Sequence, residues 1–231
     1  MKTHKAMLLV NGIGILAVSV LNYFFQANQF DYTIKCICSS CFTVFGLLNL
    51  VYALKRKASC PKFYWTMGTG VVFAMLGDVF IYHSFILGAG AFAIGHICFF
   101  IAYCFLQKFT LTDFIPSGVL FTGALLFLLF CPVLTFDEPI FKPVCIIYAA
   151  IISAMTGKSF TLFLSKKTLF NGIVFSGSFL FFLSDLLLVL KLFADIGDWP
   201  YHGCITLYYP SVCLLALSML LKVMEKKGAQ A

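Results

Sequence analysis

The sequence has little charge. Only 11% of its 231 residues are Asp, Glu, Lys or Arg, whereas 61% are hydrophobic and the mean hydropathy is +1.00. Soluble domains carry about 25% charged residues because their surfaces must be wetted. The scarcity of charge therefore excludes a soluble globular fold and indicates an integral membrane protein. No polar stretch is long enough for a separate soluble domain, so we expect a single membrane domain over residues 1–231.

Common catalytic motifs are also missing. The sequence has no glycine-rich phosphate loop, no G-x-S-x-G nucleophile elbow and no H-E-x-x-H zinc helix. Ten cysteines are present, but most fall in apolar segments, where a thiol behaves as a small apolar residue. Only Cys36, Cys38 and Cys41 cluster, and no second cluster with zinc-finger spacing exists. We therefore expect no metal and no cofactor.

Long hydrophobic runs dominate the sequence instead. Crossing about 30 Å of hydrocarbon takes roughly 20 mostly apolar residues. Eight runs qualify, separated by short polar breaks, which predicts an all-α, polytopic membrane helical bundle of about eight transmembrane helices. Seven spans are the alternative if the first run is peripheral. The predicted spans are residues 6–25, 36–54, 63–84, 86–106, 114–133, 143–164, 168–194 and 201–222, with the weakest boundary between the third and the fourth.

The basic residues indicate an orientation, because cytoplasmic loops of membrane proteins carry an excess of Lys and Arg. With a cytoplasmic amino terminus, twelve basic residues flank the inner ends and three the outer ends, which predicts that both termini are cytoplasmic. The net charge of +7 is then a topology signal, so we expect the lipid bilayer and not nucleic acid as the partner. The inner set is Lys2, Lys5, Lys55, Arg56, Lys57, Lys62, Lys108, Lys166, Lys167, Lys222, Lys226 and Lys227, and the outer set is Lys35, Lys142 and Lys191.

The first apolar run follows a charged start, as a signal peptide would. No cleavage site of the A-x-A kind follows it, so we expect a retained span. The host membrane is a bacterial inner membrane or the endoplasmic reticulum, and the sequence leaves the oligomeric state open.

Two aspartates, Asp78 and Asp185, lie alone inside long apolar stretches. A charged group in hydrocarbon costs at least a few kcal/mol on insertion scales, so an ionisable residue in a span is a functional candidate. The alternative is a structural polar contact between helices. A weak internal repeat links the two: Gly70 and Gly77 precede Asp78 at the positions where Gly177 and Ser184 precede Asp185.

The two aspartates are expected at one depth. Spans three and seven are parallel because they are four spans apart. At a rise of 1.5 Å per residue, Asp78 lies about 22 Å from Phe63 and Asp185 about 26 Å from Thr168, in the outer half of the membrane. Small neighbouring residues let membrane helices approach closely. We therefore expect the two carboxyls to meet in one cavity and to be each other's partner.

Other polar residues are scattered along the spans. His96 lies about 16 Å from the outer end of span four and belongs either to a site or to the packing. Lys158 either binds an anion or, as we expect, extends to the cytoplasmic rim. Tyr148, Tyr208 and Tyr209 are either site hydroxyls or members of an interfacial aromatic belt.

At these positions the sequence resembles the YhhN-like membrane proteins, a family that includes the animal lysoplasmalogenases. The resemblance covers most of the chain from Lys35 onward and runs through residues 75–80, 92–96 and 177–185, with the Gly-Asp, His and Ser-Asp elements in the family's order. The departures are Cys36 after the lysine in place of a proline, Gly95 and Phe99 around the histidine in place of alanine and tyrosine, and Ser211 to Cys213 where a glutamine is often found.

The resemblance implies hydrolysis of the vinyl ether bond of a lysoplasmalogen, a lysophospholipid, to a fatty aldehyde and a glycerophospho-base. Two carboxyls suit this chemistry, since one must be protonated and the other ionised. Asp78 and Asp185 would form this pair, without an assignment of the acid. His96 would orient water or hold a lipid oxygen, and Lys35 would contact phosphate. The expected substrate-binding residues are Lys35, Tyr148, Tyr208, Tyr209 and Ser184.

The main alternative is a small proton-coupled transporter in which the same aspartates carry protons across the membrane. A sensor or lipid-binding scaffold is a third possibility.

Overall fold

A computed structural model describes residues 2–28 and 31–228 of the chain. The described residues form eight long α-helices, each apolar enough to cross a membrane, and no strand, which confirms the polytopic helical bundle. Continuous apolar runs form helices because lipid offers no hydrogen bonds to the backbone. The helices are α1 Lys2–Ala27, α2 Tyr32–Lys55, α3 Pro61–Phe80, α4 Phe85–Leu106, α5 Phe114–Phe130, α6 Phe141–Ser165, α7 Leu169–Phe193 and α8 Trp199–Gly228.

If each of the eight described helices is one crossing, the start of α1 and the end of α8 lie on the same side of the bundle. That this side is cytoplasmic stays a prediction from the distribution of basic residues. Of those residues, Lys226 and Lys227 have side chains outside the part of the chain that the structure describes, as does Lys2.

Several helix boundaries differ from the prediction, since α1 and α2 each begin four residues earlier and α5 ends three residues earlier, and the third and last spans differ as well. The third span was expected to reach residue 84, but α3 ends at Phe80 and a turn follows over residues 81–83. Ser84 begins the next helix, because its hydroxyl accepts a hydrogen bond from the backbone N–H of Leu87 at 3.5 Å. The last span is longer than expected at both ends and continues through Pro210.

The helix α8 is the centre of the bundle, where it packs against α1, α2, α3 and α7. The most extensive packing joins α3 to α4 and α7 to α8. A Cβ atom at Gly77 would lie 2.5 Å from the ring of Phe92 on α4, and one at Gly177 would lie 3.0 Å from Leu215 on α8. The expectation that small residues bring α3 and α7 together is therefore wrong, because these residues serve the α3–α4 and α7–α8 contacts.

The contacts repeat between two halves of the chain, α1–α4 and α5–α8. Within each half, consecutive helices pack in the same order. Between the halves, α2 packs against α8 as α6 packs against α4. Four spans separate equivalent helices, so equivalent helices of the two halves run in the same direction. Asp78 on α3 and Asp185 on α7 thus occupy equivalent helices.

Each half also has a buried polar contact at the eighteenth residue of its second helix. Asn49 and Lys158 are each the eighteenth residue of their helices. Asn49 exchanges hydrogen bonds of 2.7 and 2.8 Å with Asn11 on α1. Lys158 forms an ion pair of 2.9 Å with Asp113, just before α5, and donates to the carbonyl of Lys108 at 2.9 Å. Lys158 thus extends to the loop between α4 and α5, in the direction expected, but its ammonium is buried there as the counter-ion of a buried carboxylate.

Candidate functional site

Asp78 lies near the carboxyl end of α3 and accepts hydrogen bonds from α2 and α8. Its side chain is buried, with 4% of the residue exposed. The Nζ atom of Lys35 lies 3.0 Å from Oδ1. The hydroxyls of Ser39 and Tyr209 both donate to Oδ2, the latter at 3.2 Å. Ser39 follows Lys35 by one helical turn, so both side chains lie on the same face of α2.

Lys35 has a different environment from the one expected. It was predicted to meet a phosphate at the rim, but only 2% of it is exposed. Its ammonium is shared between Asp78 and the hydroxyl of Tyr201, which accepts at 3.1 Å. A carboxylate in a water-excluded bundle is costly unless it is paired, and Lys35 supplies the charge. The structure therefore corrects the phosphate contact to a buried ion pair.

Asp185 lies on α7 and is buried by side chains from α6 and α4. The hydroxyl of Tyr148 donates to its Oδ2 at 2.5 Å. The Nε2 atom of His96 lies 3.3 Å from the same oxygen and 2.7 Å from the Tyr148 hydroxyl. The structure thus brings together three residues that the sequence placed on three separate spans.

The two aspartates have equivalent surroundings in the two halves. Asp78 takes its partners from α2 and α8, and Asp185 takes its partners from α6 and α4. The surroundings differ in charge, because the fourth residue of α2 is Lys35 and the fourth residue of α6 is Val144. Only the first aspartate has a buried lysine as its partner.

Both carboxyls line one enclosed cavity, the polar chamber. The expectation that each carboxyl is the other's hydrogen-bond partner is wrong, since each has donors of its own. The cavity measures about 10 Å³, which is about the space that one water molecule needs. Its lining consists of six polar residues and four apolar ones, which are Lys35, Asp78, Asp185, Tyr201, Cys204 and Tyr208, and Ile81, Phe92, Leu188 and Ile205.

A second cavity, the apolar slot, adjoins the chamber between α4, α6 and α7. It measures about 30 Å³, and Asp185 is the charged residue in its lining. The remaining lining is apolar apart from Tyr148, with Ala89, Cys145 and Val189 among the smaller side chains. Asp185 therefore stands between a polar chamber and an apolar slot, whereas Asp78 faces the chamber alone.

Two of the residues predicted to bind substrate, Tyr208 and Ser184, have hydroxyls that donate to backbone carbonyls. Tyr208 lines the chamber, but its hydroxyl donates to the carbonyl of Ala74 at 2.9 Å. The hydroxyl of Ser184 donates to the carbonyl of Phe181 at 2.7 Å. The first bond joins α8 to α3, and the second lies within α7.

The sequence analysis missed Ser39, Tyr201 and Cys204. Ser39 carried a signal, since it lies one helical turn beyond Lys35. Tyr201 and Cys204 carried none, because tyrosines near span ends and cysteines within spans are ordinary in membrane helices.

Comparison with known families gives one match, in which the model of the YhhN family covers residues 31–219. The chain belongs to the YhhN family. The match begins at Asp31, which caps the amino end of α2, and it includes both aspartates and every side chain described above as their partner. No match was found among curated proteins or among solved structures. The site therefore lies wholly inside the part of the chain that defines this YhhN-family protein.

Proposed function

We propose that this YhhN-family protein is a membrane-embedded hydrolase that cleaves the vinyl ether bond of a lysoplasmalogen or a related lysolipid ether. The observation that carries the proposal is the pair of carboxyls, Asp78 and Asp185, lining one enclosed chamber within the bundle. Two carboxyls in unlike surroundings are the arrangement that acid-catalysed cleavage of such a bond requires.

The reaction begins when an acid protonates the β-carbon of the vinyl ether, which is the double-bond carbon farther from the ether oxygen. The electrons of the double bond form the new C–H bond and leave an oxocarbenium ion shared by the α-carbon and the ether oxygen. Water adds to this cation and returns a proton to the acid, which gives a hemiacetal. The hemiacetal breaks its bond to the glycerol oxygen, which takes the hydroxyl proton. One water is consumed, and the products are a fatty aldehyde and a glycerophospho-base.

The chamber suits each of these steps. A water-excluded site strengthens the attraction between a carboxylate and the developing cation, and no solvent must reorganise during the step. The space for about one water molecule limits the nucleophile to a single, oriented water. A positioned acid contributes about 10²–10⁴-fold to such a reaction.

The position of Asp185 suits a lipid substrate. At 1.5 Å per residue it lies about 12 Å below the outer end of α7, at Phe193. The lining of the slot beside it is apolar, as the lining of a site for a hydrocarbon chain is, and the chamber supplies carboxyl and hydroxyl groups for polar atoms; at about 30 and 10 Å³ both cavities must widen when a lysolipid binds. A lysolipid has a single chain, which can enter sideways from the bilayer while its head group stays at the interface.

A proton-coupled transporter is the second candidate, and the repeat of two parallel halves favours it. Transporters are often built from such repeats with their charged groups at the interface between halves. In that case Asp78 and Asp185 would load and release protons while a solute moves.

Purified protein given a lysoplasmalogen separates the two candidates. We expect release of fatty aldehyde, and none from the matched lysolipid whose ether chain is saturated, because that chain has no vinyl carbon to protonate. Asp78→Asn and Asp185→Asn should each abolish the release. Asp195→Asn, at an exposed position on the outer face, is the matched control and should retain it. An inactive wild type whose proteoliposomes acidify along a solute gradient would overturn the hydrolase in favour of the transporter.

A further inference from the structure

The two carboxyls of the polar chamber differ in the groups that donate to them. Both oxygens of Asp78 are already acceptors: Oδ1 receives the ammonium of Lys35, and Oδ2 receives the hydroxyls of Ser39 and Tyr209. An ammonium at 3.0 Å and two hydroxyl donors stabilise the ionised form of a carboxyl. All three donors of Asp78 therefore favour its carboxylate form.

Asp78 balances the charge of Lys35, so Lys35 is not the counter-ion of Asp185. The groups that face Asp185 are Tyr148 from α6, His96 from α4, and Cys204 and Tyr208 from α8. Among these only His96 can be cationic at neutral pH. A second carboxylate in the same chamber as Asp78 would be a like charge without a counter-ion. One proton must therefore reside on the pair formed by Asp185 and His96.

The unpaired nitrogen of His96 decides where this proton resides. The ring is fully buried, and its Nδ1 atom has no hydrogen-bond partner. A protonated imidazole would place an N–H there without an acceptor, whereas a neutral ring protonated on Nε2 leaves only a lone pair. Neutral His96 donates from Nε2 to the hydroxyl of Tyr148, which donates to Oδ2 of Asp185. The proton is then on Asp185, because its carboxyl lines the chamber, where the space for about one water molecule provides an acceptor, whereas His96 lines neither cavity.

The second oxygen of Asp185 is the one that carries it. Oδ2 already accepts from Tyr148, so the proton belongs to Oδ1. The one described contact of Oδ1 is the hydroxyl of Ser184 at 3.5 Å, and that hydroxyl donates to the carbonyl of Phe181. Asp185 also lines both the chamber and the apolar slot. An acidic hydrogen on Oδ1 therefore belongs to the one carboxyl that lines both cavities.

We propose that Asp185 is the protonated carboxyl of the chamber and acts as the proton donor, while Asp78 stays ionised throughout. The catalytic part rests on the proposed function. The O–H bond at Oδ1 breaks as the C–H bond to the vinyl carbon forms, and Asp185 recovers the proton from the water that adds to the cation. Tyr148 and His96 are positioning residues, because their hydrogen bonds stabilise the carboxylate that Asp185 becomes.

Infrared spectroscopy of the reconstituted protein tests the proton assignment without any substrate. A protonated carboxyl has a C=O stretch that shifts in D₂O, and only nine Asp and Glu residues contribute. We expect this band at neutral pH in the wild type and in Asp78→Asn, and its loss in Asp185→Asn. A wild type without the band, or a band that disappears in Asp78→Asn and persists in Asp185→Asn, would overturn the assignment.

A pair of tyrosine variants keeps the test valid if the aspartate variants fail to fold. Tyr148→Phe removes the donor to Asp185 and should move the band to higher frequency. Tyr209→Phe removes the equivalent donor to Asp78 and should leave the band in place. The opposite pattern would contradict the assignment. A band on Asp185 in a protein that releases no aldehyde would refute the proposed function and leave the proton assignment standing.

Discussion

Ser39 and Tyr148 occupy the same position in the two halves of the bundle. Each is the eighth residue of its helix, and each donates a hydrogen bond to the aspartate of its own half. One turn before them the halves diverge, since Lys35 precedes Ser39 and the apolar Val144 precedes Tyr148. The repeat thus builds two carboxyl sites of the same geometry, and one lysine makes their charge states unlike.

Removal of one partner of the ion pair between Lys35 and Asp78 should strongly destabilise the protein. Lys35→Met leaves a buried carboxylate unpaired, which we expect to lower the free energy of unfolding by about 3–5 kcal/mol. Lys142→Met, a half-buried lysine on the outer side, should change it by less than about 1 kcal/mol. Thermal unfolding in detergent measures both. A double variant with Asp78→Asn should recover part of the loss, and no recovery would argue against the pair.

The Asp113–Lys158 pair should be a structural contact without a part in the reaction. In the first half the eighteenth residue of α2 forms the neutral pair Asn11–Asn49 instead, which has no ionisable group. We expect Lys158→Met to reduce stability by about 3–5 kcal/mol. The double variant Asp113→Asn with Lys158→Met should be more stable than Lys158→Met alone and should still release aldehyde once folded. An inactive but folded double variant would give this cluster a functional role.

The sequence predicted the eight spans well, because hydrophobic length alone determines which segments can cross a bilayer. It failed at the end of α3, since Ile81 and Tyr82 extend the apolar run through a turn. It also placed Lys35 at the rim, because a lysine near a span end ordinarily extends to water. Its burial depends on Asp78, which lies on another helix, and such a pairing cannot be obtained from one segment. For the same reason, the sequence could not show that each of the two carboxyls has its own hydrogen-bond donors on other helices.

Close packing of α3 on α4 should control the position of Asp78. A Cβ atom at Gly77 would lie 2.5 Å from the Phe92 ring, so Gly77→Ala must displace that ring or the helix. We expect a loss of about 1–3 kcal/mol of stability and a parallel loss of aldehyde release. Gly90→Ala is the matched control, because a Cβ at this position on α4 meets nothing within 4 Å. Equal effects of the two substitutions on thermal unfolding would refute this account of the packing.

The two tyrosines that contact the aspartates should differ in their effect on the reaction. Tyr148 stabilises the carboxylate that Asp185 becomes, so Tyr148→Phe should lower kcat by about 10–10²-fold, the effect of losing one donor worth roughly 1.5–3 kcal/mol to a charged group. Tyr209→Phe leaves Asp78 with Lys35 and Ser39, and the loss should be smaller. Steady-state rates of aldehyde release measure both. A larger effect at Tyr209 would place the acid at Asp78.

The account depends most on the transfer of a proton from Asp185 to a vinyl carbon. This transfer is tested directly when the purified protein hydrolyses a lysoplasmalogen in D₂O. The aldehyde is reduced at once to the alcohol, and its deuterium content is measured by mass spectrometry. We predict a product with a single deuterium on the carbon next to the former carbonyl, and no product from Asp185→Asn. An aldehyde without deuterium at that carbon, or deuterated aldehyde formed at the wild-type rate by Asp185→Asn, would contradict the account.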